Sequence, residues 1–207
     1  MESSNLEFYR NSIDYILSVQ NKDGSIPWEL DEKLDPWDHI EAAMGLSIAG
    51  KKDEAEKAFL WLSDSQLQDG SWYAEYLNSI PMTQRKETNF SAYIGTGLWH
   101  YYLIFKDKDF IENMLPTLSK ALDFVLSMQT ENGDIYWACE EGKQILDDSL
   151  ITGSSSIYKS LECTAAILNL FDKPIESIIV SMEKLKSSIN NNPERYDRSW
   201  ESKSRYS

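Results

Sequence analysis

Histidine and cysteine are scarce in this chain of 207 residues, which has two of each. Cys139 and Cys163 lie in different kinds of segment and show no metal-ligand spacing. No metal site is therefore expected. Two such thiols read as reduced side chains in a reducing, cytoplasmic compartment. Basic residues are also few, 20 against 34 acidic ones, for a net charge of −14. That balance argues against nucleic acid and anionic membrane surfaces as partners. No apolar run is both long and charge-free; Ala92–Phe105 comes nearest and is too short for a transmembrane segment. The opening MESSNLEFYR has neither the basic nor the apolar region of a signal peptide. Strand-like alternation is missing, and no Ser-His-Asp or Cys-His arrangement can be assembled. The stretch TGSSSIY lacks the Gly-Lys-Ser/Thr ending of a phosphate loop. No cofactor is expected.

What the chain does have is apolar and aromatic content, 42% and 12%, enough for one sizeable core. It also has a repeat. YILSVQNKDGSI (15–26), LWLSDSQLQDGSW (60–72) and FVLSMQTENGDI (124–135) share an apolar helical stretch, a Gln, two residues, Asp or Asn, then Gly. The glutamines are Gln20, Gln66 and Gln129, separated by 46 and 63 positions. Gly24, Gly70 and Gly133 suit a left-handed residue closing a helix, and Asp23, Asp69 and Asn132 suit the turn itself. Aromatic residues follow: Trp28, Trp72 and Tyr136–Trp137.

Segments leading into these turns are amphipathic, and segments following them are apolar nearly all round, as in TNFSAYIGTGLWHYYLIF. The alternation predicts outer helices near 5–20, 52–66, 108–128 and 173–190, and inner helices near 37–49, 89–106 and 151–171. Pro116 should kink or restart the third outer helix. The expected fold is all-α, an α/α toroid of about seven helices, hence an incomplete (α/α)6 barrel. It forms one domain over 1–207, with a polar C-terminal extension at 191–207. A half-open ring exposes inner-helix faces, which predicts a homo-oligomer that completes the barrel.

KAFLWLSDSQLQDGSW resembles the QW motif of squalene and oxidosqualene cyclases, with Gln66, Gly70 and Trp72 on its fixed positions. Longer phrases, WDHIEAAMGL, ETNFSAYIGTGLWHYYL and LITGSSSIYKSL, look like bacterial prenyltransferase-like proteins. The resemblance covers roughly 10–206 and implies a toroid with an isoprenoid in a central aromatic cavity. The chain departs from that family where its chemistry resides. QILDDSL has Ile145 where an Asp-x-Asp-Asp acid needs its first aspartate. Asp147–Asp148 lacks the third aspartate of a diphosphate-binding motif, and the zinc ligands of protein prenyltransferases are missing.

In a toroid, the inner-helix N-termini open on one end of the cavity, where their partial positive charge favours anionic or hydroxyl-rich ligands. Four carboxylates at that end are candidate catalytic groups: Asp38, Glu41, Glu87 and Asp148. Asp38 and Glu41 are three apart and share a helix face. Carboxylates on separate helices across a cavity suit general acid–base chemistry. Trp37, His39, Trp72, Asn89, Tyr93, Trp137, Thr152, Ser154, Ser156 and Tyr158 are the candidate ligand-binding groups. The competing reading makes Asp38, Thr88 and Thr152 helix caps, His100 a packed core histidine and several aromatics core filling. Three functions stay open: an isoprenoid-binding cyclase or prenyltransferase-like protein, a carbohydrate-active α/α-barrel enzyme resembling six-hairpin glycosidases, and a non-catalytic binding or assembly subunit.

Overall fold

The computed structural model describes residues 9–140 and 145–199. Seven α-helices lie among them. Outer helices α1 (Arg10–Val19), α3 (Lys52–Ser65), α5 (Lys108–Ser127) and α7 (Glu176–Asn191) alternate with inner helices α2 (Pro36–Ile48), α4 (Thr88–Phe105) and α6 (Ile151–Asn169). The inner helices stand side by side, α4 packing between α2 and α6, and each outer helix backs its neighbours. Each inner helix passes to the next outer one through a few residues at one end. The return connections run through long loops at the other, so the inner N-termini share the loop-rich end. This is the α/α-toroid arrangement expected from the alternation of amphipathic and all-apolar segments.

Two details depart from the sequence reading. The helix over Lys108–Ser127 runs through Pro116 without restarting. Among the described residues six two-residue strands occur where none was expected: β1 (Lys33–Leu34), β2 (Tyr76–Leu77), β3 (Ile80–Pro81), β4 (Lys86–Glu87), β5 (Ala138–Cys139) and β6 (Ile145–Leu146). They form two antiparallel three-stranded sheets, β1–β2–β3 and β4–β5–β6, within the long loops. Strands of two residues are too short to leave a period-two signature.

The repeated turn works the same way three times. Gln66 Nε2 donates to the Gly70 carbonyl at 3.0 Å and to the Thr117 carbonyl of α5 at 2.8 Å. Gln20 does so with Gly24 and Glu54, and Gln129 with Gly133 and Ser181. Each glutamine thus fastens its own turn to the next outer helix. The glycines are left-handed, at φ 96°, 89° and 90° for Gly24, Gly70 and Gly133. A Cβ on each would run into a backbone carbonyl of that same next helix, at Lys57, Lys120 and Lys184 respectively. Both backbone angle and close approach therefore demand glycine.

Two positions beyond each glycine the chain enters the core, at Ile26, Trp72 and Ile135, all buried. Trp72 is 1% exposed, and its indole N–H donates to the Leu62 carbonyl of α3 at 2.9 Å. The ring fills the place that isoleucine fills in the other two copies, so it presents no face to a ligand. Past α7, a short 3₁₀ turn (Pro193–Arg195) leads back to the third loop, where Tyr196 bridges Ser149.

Candidate active site

The sequence places an aspartate before the proline that begins α2, and its carboxylate caps the helix. Asp35 Oδ1 accepts the Asp38 N–H at 2.9 Å, and Oδ2 accepts the Trp28 indole N–H at 2.8 Å. Burial pushes the Asp35 carboxyl up to about 6, and the neighbouring Asp38 carboxylate adds to the shift. A carboxylic acid there keeps its proton closer to neutrality than an ordinary aspartate does. Asp35 is absent from the four carboxylates that the sequence offers as catalytic candidates. The signal that could have found it is the cap pattern of Asp, Pro, then an acid in the first turn.

Asp38 is exposed and lines an open cavity of about 260 Å³ between α1 and α2. Tyr15, Ile16, Val19, Ile26, Pro27, Trp28 and Ala42 form its other walls. Glu87, at the cap position of the adjacent inner helix α4, makes no side-chain cap. Its Oε1 accepts from Arg85 Nε at 3.0 Å. Burial raises the Glu87 carboxyl against the lowering effect of Arg85, and Asp35 and Glu75 add repulsion. Asp35, buried, and Glu87, half-buried, thus stand at the starts of neighbouring inner helices, and the Asp35 charge adds to the cost of ionising Glu87.

Trp37 stacks on Tyr93 with ring centroids 3.7 Å apart, and the Tyr93 hydroxyl donates to Glu41 Oε1 at 3.2 Å. Burial and the Glu41 charge push the Tyr93 phenol up to about 12, so it remains a donor. Trp137 lies under the Arg85 guanidinium, 5.9 Å from ring to carbon. The structure therefore gathers Trp37, Asp38, Glu41, Glu87, Tyr93 and Trp137 around the α2 and α4 N-termini.

Other expected site groups lie elsewhere. His39 is fully buried, accepting the Ile26 N–H at Nδ1 and facing the Ala58 carbonyl through Nε2 at 2.9 Å. Burial pushes it down to about 4, which makes it a neutral core residue. Asp148 is buried under the returning chain and accepts from the backbone N–H of Ser149, Arg198 and Ser199 and from the Ser199 hydroxyl. Burial raises its carboxyl, but those donors outweigh it and hold the pKa below the usual aspartate value. Such a saturated carboxylate fastens a loop. Thr152 is exposed at the start of α6, and Asn89 lies beside Gly153. Ser154 and Ser156 have buried hydroxyls without partners. Tyr158 faces α7, in a separate open cavity with Lys186 and Ile189. The cap readings of Asp38, Thr88 and Thr152 also give way, since Asp35, Glu87 and Leu150 hold the cap positions. Among the described residues no cluster of His, Cys, Asp or Glu could hold a metal ion. No helix there is long and apolar enough to cross a membrane.

An α/α toroid with carboxyls gathered at its loop-rich end is the class that this geometry defines. No protein-family profile matches the chain. It is 36% identical over 187 residues to the MMP endo-(1,4)-3-O-methyl-alpha-D-mannosidase of Mycolicibacterium hassiacum, covering 90% of this chain and 52% of that protein. The chain thus spans about half the length of this curated relative. Among solved structures it superposes on unsaturated glucuronyl hydrolase from Bacillus sp. GL1 with a TM-score of 0.68 at 16% identity, over 92% of this chain and 57% of that one. Cellobiose 2-epimerase from Spirochaeta thermophila gives a TM-score of 0.64 at 14% identity, over 91% and 55%. The structural likenesses establish the α/α-toroid fold. Together with the mannosidase likeness they overturn the resemblance to terpene cyclases and prenyltransferases, and with it the isoprenoid ligand. The Gln–Gly turn that carried that resemblance is a staple between outer helices, and its tryptophan is core.

Proposed function

We propose that the chain belongs to a carbohydrate-active α/α-barrel enzyme of glycosidase type, and that its site is the carboxyl cluster at the α2 and α4 N-termini. The observation that carries this reading is the Asp35–Asp38 pair: a buried carboxyl raised to about 6 beside an exposed one lining a cavity with Trp28. A buried carboxyl that holds its proton beside a second, solvent-facing carboxylate is what glycosidic cleavage needs. The protonated acid, Asp35, gives its proton to the glycosidic oxygen as the bond to the anomeric carbon breaks. Water adds to that carbon, and its proton passes to the neighbouring Asp38 carboxylate. Trp28 and the Trp37–Tyr93 stack offer flat apolar surfaces to the C–H face of a sugar ring. The mannosidase relative supports this choice of chemistry and suggests 4-linked α-mannosyl chains, with and without O-methyl groups, as first substrates.

The test is release of reducing ends from such oligosaccharides by the purified chain. Asp35→Asn and Asp38→Asn are each expected to lower turnover by about 10²-fold or more while saccharide binding persists. Binding without turnover, unaffected by either change, would reduce the protein to a sugar-binding subunit. Absence of both binding and turnover would overturn the reading.

A further inference from the structure

We propose that the solvent face of the β1–β2–β3 sheet is an extension subsite, gripping sugar residues of a neutral chain beyond the one held at Asp38. This rests on the glycosidase-type reading above. Strand register sets the face. Lys33 pairs with Leu77 and Leu34 with Tyr76, while Leu77 pairs with Ile80 and Tyr76 with Pro81. Leu34 and Tyr76 are buried, so Lys33, Leu77 and Ile80 point the other way. Trp28 and Met82 extend that sheet through backbone bonds at each edge, Trp28 to Lys33 and Met82 to Glu75, both at 2.9 Å. Trp28, Ile80 and Met82 are 48%, 65% and 58% exposed.

These side chains are not on a loose loop. The β2–β3 hairpin turns through Asn78 and Ser79, left-handed at φ 50° and 60°, the two-residue turn that matches strand twist. Ser79 Oγ donates to Asp23 at 2.7 Å and accepts from the Trp61 indole at 3.1 Å, pinning the tip to the first repeat turn. Large apolar groups held rigidly in solvent mark a contact surface.

The occupant follows from what the face joins. At one end Trp28 donates directly to Asp35. At the other, Lys33 pairs with Glu75 at 3.6 Å, Glu75 with Arg85 at 3.9 Å, and Arg85 with Glu87 at 3.0 Å. The sheet therefore runs from one candidate acid to the other, and a chain held at Asp38 continues onto it. Lys33 stands 4.1 Å over the Trp28 ring and is paired with Glu75, so at this point the face offers hydrogen-bonding groups whose charges offset each other. Apolar side chains flanked by a neutral ion pair suit a pyranose, with C–H faces against Trp28, Ile80 and Met82 and hydroxyls toward Lys33 and Glu75.

Calorimetric titration with 4-linked α-mannosyl oligosaccharides of increasing length tests this. Affinity is expected to rise by about tenfold from the single sugar to the tetrasaccharide, or 1.4 kcal/mol. The double variant Ile80→Ser/Met82→Ser should lose that gain with an unchanged melting temperature. Ile48→Ser, an exposed apolar position at the far end of α2, should keep it. Length-independent affinity in the native chain overturns the subsite and leaves the functional reading standing. So does a double variant that keeps the gain, or one that changes only the state of association. If no saccharide of any length binds, the functional reading falls, and the subsite with it.

Discussion

Replacing Gln66 with glutamate changes one NH₂ for one oxygen and tests the turn directly. The amide donates at 3.0 Å and 2.8 Å to two carbonyls, those of Gly70 and Thr117. A carboxylate has no proton to give, so both hydrogen bonds are lost and a negative oxygen faces two carbonyl oxygens. Each lost bond is worth about 1 kcal/mol net, and a partly buried charge left without donors costs at least as much again. Gln66→Glu is therefore expected to destabilise by about 3 kcal/mol at neutral pH, a fall of roughly 6–12 °C in melting temperature for a domain of this size. The penalty carries its own pH signature. The introduced carboxyl has a raised pKa when folded, so the folded state binds the extra proton. Relative stability then falls as pH rises from about 4.3, the unfolded value, to the raised folded one. Urea unfolding followed by circular dichroism at pH 4 and pH 7.5 measures both effects. A loss below about 0.5 kcal/mol at pH 7.5, or one equal at both pH values, would refute the staple.

Further expectations follow from the same contacts. His39 is pushed down to about 4, so the unfolded chain binds its proton first and stability drops as pH falls from about 6.5 toward 4. Asp35, raised to about 6, works in the opposite direction, losing stability as pH rises from about 3.9 to 6. Asp35→Asn should therefore steepen the acid-side loss, by chemical denaturation, on top of a pH-independent cost of about 1 kcal/mol for setting an NH₂ against the Trp28 indole N–H. Gly133→Ala, whose methyl meets the Lys184 carbonyl, should cost about 3 kcal/mol or more. Gly50→Ala has a similar left-handed φ but open space around it and should cost about 1 kcal/mol; equal losses would show that strain alone governs both. Arg195 pairs with fully buried Asp134 at 2.5 Å. Arg195→Ala should destabilise by about 3 kcal/mol, measured by urea midpoint, while Arg198→Ala should cost less, because its close partner Asp147 is exposed and buried Asp148, 3.6 Å away, keeps its backbone and Ser199 donors.

The helices were legible because their signals are local. All-apolar segments such as 89–106 can only be buried, and observed ends fall close to those expected, as at Lys52–Ser65 and Ile151–Asn169. The Gln and Gly positions were legible as a repeat, but the glutamine's second partner lies on a different helix and leaves no local trace. Trp72 was misread because it was compared with the nearest aromatics. Counting two positions from each glycine aligns it with Ile26 and Ile135, which makes it core. Asp148 looked like a helix-start acid, but residues 195–199 return to cover it, a contact that local pattern does not encode. Asp35 lies just before the expected inner helix 37–49, where local pattern says nothing of burial. Its raised proton affinity comes from burial and from Asp38, and burial of one carboxyl is a property of the assembled fold.

The three glutamine staples all point forward along the chain, each turn being completed by carbonyls 34, 51 or 52 residues downstream. A ribosome releases residues in that same order. Each hairpin emerges with its turn unlocked and becomes fixed only when the following outer helix has left the exit tunnel. Hairpin-by-hairpin assembly from the N-terminus is the expected outcome, and a nascent chain paused between units should be protease-sensitive at its last exposed Gln–Gly turn and resistant at every earlier one.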